Sequence, residues 1–187
     1  VIEYNKTFFL MESTKSKANN LLKNKSLLWI NTKPVKNLFN KNIWVKTVMF
    51  TKKFPNTLQI SVLEYSTIAY FKKNKLIYLI NDNFKNSLID KNANLENLIE
   101  VKNMKNMKDF KTFFLKIINE DVFFSKIKVI NYIHDGRWNI VLKDGQLIKL
   151  GNYNLNKQVK YLNFILNNQT AKIIDLRYDG RVILANE

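Results

Sequence analysis

Residues 127–150 read IKVINYIHDGRWNIVLKDGQLIKL and decide the fold class of the chain. Two Asp-Gly pairs, Asp135-Gly136 and Asp144-Gly145, each lie between runs in which apolar residues alternate with polar ones. An Asp-Gly pair in that setting is the strongest short-range signal for a β-hairpin. The stretch therefore predicts a meander of three strands.

The residues after the meander predict a helix and a terminal edge strand. Apolar residues recur at helical spacing over residues 154–167, which favours an amphipathic helix. A strand is predicted at residues 172–178, a turn at Asp179-Gly180 and a last strand at residues 181–184. A chain that ends in a strand tends to leave one sheet edge unpaired, to which a partner strand can add. The alternative is that the last strand merely completes the sheet.

The residues before the meander predict helices and hairpins. Residues 44–63 alternate with a period of two around a turn at Phe54-Pro55-Asn56-Thr57, which indicates a β-hairpin with Trp44, Lys46 and Val48 on one side. The other predicted elements are a strand at 1–4, helices at 7–22, from Pro34 and at 104–119, and strands at 68–71 and 76–80. We expect Trp29, Trp44 and Trp138 in the core. The chain is predicted to be α+β, with a boundary near Tyr65-Ser66.

The positive charge of the chain is large but carried almost wholly by lysine. The 187 residues have a formal net charge of +16, and only Arg137, Arg177 and Arg181 are arginines. Arginine is the commonest reader of base edges, so its scarcity disfavours nucleic-acid binding. Attraction to an anionic membrane surface is at least as good a use of diffuse lysine charge. No apolar run approaches the ~18 residues that a membrane-spanning helix needs.

The residues that support catalysis or metal binding are scarce. There is no cysteine and only one histidine, His134, which excludes disulfides and argues against a zinc site. Four glycines and the absence of a phosphate-loop motif argue against nucleotide binding. His134 precedes Asp135 in a predicted turn and is interpreted as a turn residue. We therefore expect a binding protein without enzymatic activity or a cofactor.

Several motifs resemble those of the extracytoplasmic part of the bacterial cell-division family FtsQ/DivIB. Six segments match in order: NIWVK at 42–46, FPNTL at 54–58, VLEY with IAYF at 62–71, GRWNI at 136–140, DGQLIKLG at 144–151 and IDLRY at 174–178. Ile43 and Thr67 stand where the family usually has proline. The resemblance covers about residues 27–184.

The resemblance implies a POTRA domain, residues 1–65, followed by an FtsQ/DivIB-type β domain, residues 66–187. The POTRA domain would place helices on a short sheet. The β domain would be an antiparallel sheet with two helices and an exposed C-terminal edge strand. It also implies a cytoplasmic tail and one membrane helix upstream of Val1, with this region in the periplasm at the division septum.

The family's role is that of a divisome scaffold that links early and late division proteins. Its β domain binds the FtsB–FtsL pair (DivIC–FtsL) by strand addition to the last sheet edge, and FtsK, FtsW and FtsI are further partners. The positions that match this edge are Arg177, Tyr178, Arg181, Val182, Ile183 and Leu184. The family site also uses a serine after the tyrosine and a tryptophan near the strand end, where this chain has Asp179-Gly180 and Ala185-Asn186. The positions that match the recruitment surface of the POTRA domain are Thr47, Phe50, Lys52 and Glu64.

Two other functions stay open from the sequence alone. A POTRA-containing protein of outer-membrane assembly or secretion would show a second POTRA copy, and only one is visible. A basic nucleic-acid-binding domain would bind DNA or RNA with a steep salt dependence.

Overall fold

The computed structural model describes residues 1–89, 95–118, 121–168 and 170–186. Within it the chain divides into two compact units. The first unit contains Val1–Thr67 and Asn81–Ser87, and the second contains Ile68–Ile80 and Leu88–Glu187. The sequence boundary near Tyr65-Ser66 stays a prediction.

The first unit contains a three-stranded sheet and two helices. Its elements are β1 (Ile2–Tyr4), α1 (Glu12–Leu22), α2 (Lys33–Asn40), β2 (Val45–Lys53) and β3 (Thr57–Glu64). The strand order is β1-β3-β2, with β1 parallel and β2 antiparallel to β3. The fully buried side chains of Val35 and Phe39 on α2 share one core with Ile60 on β3. Pro34 lies in the first turn of α2, where its missing N–H has no helical partner to lose.

The first helix begins later than the sequence predicts. We expected it from Thr7, but α1 begins at Glu12. The backbone N–H groups of Phe8, Phe9 and Leu10 instead donate to the carboxylate of Glu64, at 2.7, 2.9 and 2.8 Å. Because these N–H groups donate to one carboxylate, the segment before α1 is tied to the end of β3.

A bulge in β2 breaks the predicted alternation. The register with β3 shifts between Val45 and Thr47, so that Lys46 is an additional residue. Val45 and Val48 are both buried as a result, while Lys46 is exposed. The prediction that Lys46 shares a side with Val48 is wrong, because a bulge moves the following residues to the other face.

The tryptophans differ in burial. Trp44 and Trp138 are 5% and 4% exposed, as expected of core residues, but Trp29 is 88% exposed. The core interpretation of Trp29 is therefore wrong. Leu27 and Ile30 pack against the core of the first unit, and the turn between them directs Trp29 outward.

Most of a nine-stranded sheet lies in the second unit, while its residues Thr67, Asn81, Asn86 and Ser87 belong to the first unit. Its strands are β4 (Thr67–Lys73), β5 (Leu76–Asn81), β6 (Asn86–Ile89), β7 (Ile99–Lys102), β8 (Ile127–Tyr132), β9 (Trp138–Leu142), β10 (Leu147–Leu150), β11 (Ile173–Leu176) and β12 (Ile183–Ala185). The strand order is β12-β11-β10-β9-β8-β7-β4-β5-β6. The predicted meander is confirmed, since β8, β9 and β10 pair antiparallel in sequence order.

The sheet of the second unit is mixed. The pairs β4–β7, β7–β8 and β10–β11 are parallel, so the expectation of an antiparallel sheet holds only for part of it. Parallel neighbours need a long crossover, and the helices occur in these connections. They are α3 (Met107–Ile117), α4 (Asp121–Phe124) and α5 (Leu155–Asn168). The predicted end of the helix before the meander, Asn119, lies outside the described residues. The predicted α+β class is confirmed, since helices and sheets occur in both units.

Candidate functional site

The strand order places β12 at one edge of the nine-stranded sheet. On its inner side β12 pairs antiparallel with β11, with Ile183 opposite Asp175 and Ala185 opposite Ile173. The sequence predicted the last strand at residues 181–184, whereas it spans Ile183–Ala185. Arg181 and Val182 therefore lie in the connection before the strand and not in it. The reason is the turn at Gly180, where φ is +72° and the backbone N–H of Arg181 donates back to Tyr178 at 3.3 Å.

Apolar side chains are exposed along this edge. Tyr178 is 53% exposed, and Val182, Ile183 and Leu184 each expose at least two fifths of their surface. Exposed apolar groups beside an unpaired strand edge are a liability in a monomer unless another chain covers them. The edge thus has the features of an interaction surface.

A charged pair fixes the end of β11, the strand next to the edge strand β12. The guanidinium of Arg177 contacts the nearly buried carboxylate of Asp175, with Nη2 2.6 Å from Oδ2 and Nε 2.9 Å from Oδ1. The backbone N–H of Arg177 also donates to Oδ1 at 3.0 Å. Burial raises the pKa of Asp175, but the hydrogen bonds and charge of Arg177, with the charge of Lys149, outweigh burial and hold it below its usual value. The Arg177 side chain is thereby held beside Tyr178, with Cζ 5.9 Å from the ring centroid.

A second anchor near the edge comes from Tyr153. Its hydroxyl lies 2.8 Å from the carbonyl oxygen of Leu176 and 2.7 Å from that of Tyr178, within donating distance of both. Burial, followed by the negative charge of Asp179, raises the pKa of Tyr153, so the hydroxyl keeps its proton at neutral pH. The backbone leading into the β11–β12 turn is therefore held from the side of α5.

The side chain of Gln158 completes this anchor. Its Oε1 accepts from the backbone N–H of Gly151 at 2.8 Å, and its Nε2 donates to the carbonyl oxygen of Tyr153. Gln158 is almost fully buried on α5. A Cβ at Gly151 would lie 2.9 Å from Cε1 of Tyr153 and 3.2 Å from the Cα of Arg177, so only glycine fits without a shift.

Sequence reasoning missed Tyr153, Gln158 and Gly151 as supports of the edge. A glycine directly after a predicted strand was the available signal, since such positions often mark a close backbone approach. The residues that Tyr153 and Gln158 contact lie far from them in sequence or show no local pattern, so only the folded structure reveals these contacts.

A small cleft adjoins the edge. It has a volume of about 180 Å³ and is lined by residues of α5 and of the β11–β12 turn, among them Lys157, Tyr161, Tyr178 and Val182. Nζ of Lys157 lies 3.4 Å from Oδ1 of Asp179 across it. The cleft therefore lies beside the exposed ring of Tyr178.

The four predicted residues of the recruitment surface lie on the β2–β3 hairpin. Thr47 and Lys52 are exposed on β2, an edge strand of the three-stranded sheet, and lie about 17 Å apart along it. Phe50 packs partly against the core. Glu64, at the end of β3, lies near Thr47 in the register and has its carboxylate bound by three backbone N–H groups. The structure therefore brings Glu64 near Thr47, with Lys52 towards the other end.

His134 lies in the β8–β9 turn. Its Nδ1 is 2.9 Å from Oδ2 of Asp135, and the hydrogen bond from His134 is the largest of the effects that hold the pKa of the exposed Asp135 below its usual value. Among the residues that the structure describes, no group of three or more His, Cys, Asp or Glu side chains is placed to hold a metal ion. Nor is any helix in the described ranges long and apolar enough to cross a membrane.

Two protein-family models match the chain over most of its length. Residues 15–65 match the POTRA domain of FtsQ type, and residues 69–177 match the C-terminal domain of the cell-division protein FtsQ/DivIB. The chain belongs to the FtsQ/DivIB family. This confirms the resemblance read from the six motifs and favours it over the POTRA-repeat proteins of the outer membrane. FtsQ/DivIB is a family of cell-division scaffolds and not a known enzyme family.

Similar proteins carry the FtsQ name. The chain is 26% identical over 172 residues to the cell division protein FtsQ of Rickettsia conorii and 28% identical over 176 residues to that of Rickettsia bellii. In both cases the match covers 89% of this chain and 64% of the relative, so the chain spans less than two thirds of their length. The major extracytoplasmic domain of DivIB from Geobacillus stearothermophilus matches with a TM-score of 0.42 and 12% identity, over 58% of this chain and 99% of that one.

Proposed function

We propose that this FtsQ/DivIB chain is a non-enzymatic divisome scaffold that binds the FtsB–FtsL pair (DivIC–FtsL) by strand addition to β12. The observation that carries the proposal is the position of β12 at the sheet edge, with exposed apolar side chains beside it. Strand addition supplies affinity through main-chain hydrogen bonds and specificity through alternate side chains. An incoming strand would cover the side chains that the edge leaves exposed.

The rigidity of the edge supports this function. Arg177 is fixed by Asp175, and the Tyr153 hydroxyl lies within hydrogen-bond distance of the carbonyl groups that flank Arg177. A preorganised edge loses little conformational entropy when a partner strand adds to it. The nearby cleft offers a pocket for one side chain of that partner, next to Tyr178.

The remaining parts of the proposal rest on family membership. The β2–β3 hairpin, with Thr47, Phe50, Lys52 and Glu64, is proposed as the recruitment surface, and FtsK, FtsW and FtsI as further partners. The proposed location is the periplasmic side of the inner membrane at the septum, with anchoring by a single helix of the full-length protein. The scaffold would link early and late division proteins there.

A titration with the extracytoplasmic domains of FtsB and FtsL from the same organism tests the proposal. We expect Tyr178→Lys to weaken binding by about 2 kcal/mol, roughly thirtyfold, because an exposed aromatic at the centre of an interface is a typical hot spot. The matched control is Phe164→Lys, which makes the same change at another exposed aromatic, on α5. Equal affinities for the two folded variants would contradict the assignment of the edge.

Proline substitutions test the backbone part of the proposal. In an antiparallel pair, successive residues of β12 point their N–H groups alternately to β11 and to the free edge. One of Ile183→Pro and Leu184→Pro should therefore abolish partner binding with little loss of stability, and the other should destabilise the β11–β12 pair. Binding that survives both substitutions would exclude strand addition at β12.

A further inference from the structure

Two exposed turns of the first unit bring aromatic and basic side chains together. Trp29 is 88% exposed, Leu28 is 62% exposed and Phe54 is 66% exposed. The Nζ of Lys52 donates to the carbonyl oxygen of Leu28 at 2.9 Å, which ties the turn that carries Trp29 to the end of β2. We call Leu28, Trp29, Phe54, Lys23, Lys25 and Lys52 the basic-aromatic tip.

The same two turns flank one cleft. Leu27 and Ile30, on either side of Leu28 and Trp29 in the chain, line it together with Pro55, which follows Phe54. Lys23 and Lys25 line it from the segment directly after α1, around a volume of about 590 Å³. The basic members Lys23 and Lys25 therefore share one cleft with the chain neighbours of the apolar members of the tip.

The charge around the tip is predominantly positive. Residues 13–63 contain ten lysines and no aspartate or glutamate. The acidic groups on either side are engaged: Glu3 pairs with Lys53 at 3.6 Å, Glu12 pairs with Lys15 at 2.7 Å, and Glu64 accepts three backbone N–H groups. Little negative charge offsets the lysines of the tip, so it attracts an anionic surface.

We propose that the basic-aromatic tip is a docking site for an anionic lipid bilayer. Tryptophan prefers the headgroup level of a bilayer, and exposed aromatic and aliphatic groups next to lysines are typical of proteins that lie on that surface. The lysines are attracted to anionic headgroups, while Trp29, Leu28 and Phe54 enter the interface. This site does not depend on partner binding at β12, which belongs to the second unit.

Co-sedimentation of the full chain with lipid vesicles tests the proposal. We expect binding to vesicles of equal parts phosphatidylglycerol and phosphatidylcholine, and none to vesicles of phosphatidylcholine alone. The double variant Trp29→Ser/Phe54→Ser should bind about tenfold more weakly, because its apolar side chains no longer enter the interface. The control Phe164→Ser removes an equally exposed aromatic from the second unit and should bind as the unaltered chain does.

The charge requirement is tested separately. Lys23→Gln/Lys25→Gln should weaken binding by about fivefold per lysine. The matched pair Lys108→Gln/Lys160→Gln lowers the net charge equally at exposed sites of the second unit and should have little effect. Equal losses for the two pairs would mean that attraction is diffuse and would overturn the site.

Tryptophan fluorescence gives a readout at the tip itself. Trp44 and Trp138 are buried, so a blue shift of the emission on addition of anionic vesicles reports the transfer of Trp29. Trp29→Phe should bind nearly as well and lose the shift. The proposal is overturned if the Trp29→Ser/Phe54→Ser chain binds vesicles like the unaltered chain. It is also overturned if Trp29 responds to single-stranded DNA and not to vesicles.

Discussion

Glu64 in the first unit and Asp175 in the second each have a carboxylate that accepts hydrogen bonds from several N–H groups. The two carboxylates differ in how far along the chain their donors lie. Glu64 binds three backbone N–H groups that lie 54 to 56 residues away in sequence. Asp175 binds the side chain and backbone of Arg177, two residues away. The first carboxylate holds a segment onto the fold, and the second shapes only the end of one strand. Similar chemistry therefore has a global role in one unit and a local role in the other.

The largest effect is expected from Glu64→Gln. Glutamine keeps the shape of the side chain but has one acceptor oxygen, so at least one of the N–H groups of Phe8, Phe9 and Leu10 loses its partner. We expect the free energy of unfolding, measured with urea, to fall by about 3 kcal/mol. Phe9 stacks on Trp44 at a centroid distance of 4.0 Å, so tryptophan emission should shift to the red before global unfolding.

The control for Glu64→Gln is Glu3→Gln. Glu3 lies 3.6 Å from Lys53 at an exposed site, where an ion pair contributes at most about 1 kcal/mol. If both variants change the free energy of unfolding equally, Glu64 does not hold the segment before α1.

A smaller effect is expected from Gly151→Ala, which tests the support of the Asp175 side. The new Cβ would lie 2.9 Å from the ring of Tyr153 and 3.2 Å from the backbone of Arg177. Overpacking of this kind costs about 2 kcal/mol of unfolding free energy. Adding Tyr153→Ala should relieve part of that cost, and strictly additive losses in the double-mutant cycle would refute the steric explanation.

The smallest effect is expected from Asp175→Asn, about 1 kcal/mol at neutral pH. Because the pKa of Asp175 is lowered in the folded chain, its stabilisation is complete above the ordinary carboxyl pKa of about 3.9 and is lost as the pH falls through the folded value. The difference in unfolding free energy between the two chains should therefore shrink on acidification. The comparison variant Asp135→Asn changes a fully exposed carboxyl, and at neutral pH it should lower the free energy of unfolding less than Asp175→Asn does. If the difference in unfolding free energy between Asp175→Asn and the unaltered chain stays constant from pH 7 to acid pH, the charge of Asp175 does not stabilise the fold.

The sequence predicted what local residues decide. The Asp-Gly pairs at 135–136 and 144–145 set the meander, and Pro34 marks the start of α2. The connection between β4 and β5 also has a local cause, since Asn74 and Lys75 both adopt positive φ, as a two-residue hairpin turn requires.

What the sequence could not predict depends on partners distant along the chain. β7 has only four residues, which is too few for its alternation to predict a strand. Its parallel neighbours, β4 and β8, are separated from it in sequence by other elements. The turn that exposes Trp29 and the bulge at Lys46 are not visible in the order of apolar and polar residues. Each nevertheless changes which side chains are buried. At the edge, the motif at 174–178 predicted Arg177 and Tyr178. Tyr153 and Gln158 lie near the edge only because of how α5 packs, which the sequence does not show.

The parallel pairing of β10 with β11 has a consequence for the order in which the second unit folds. The β8–β9–β10 meander closes through short turns, whereas β11 returns to β10 only after α5 has been traversed. Contacts that close long loops form late, so β11 and the β12 edge should be completed after the meander. Amides of β9 should then gain protection from hydrogen exchange before those of β11 during refolding, and the reverse order would refute this sequence of events. The proposed partner surface at β12 would thus be absent from a nascent chain until β11 and β12 had folded, so that binding there would require a completed second unit.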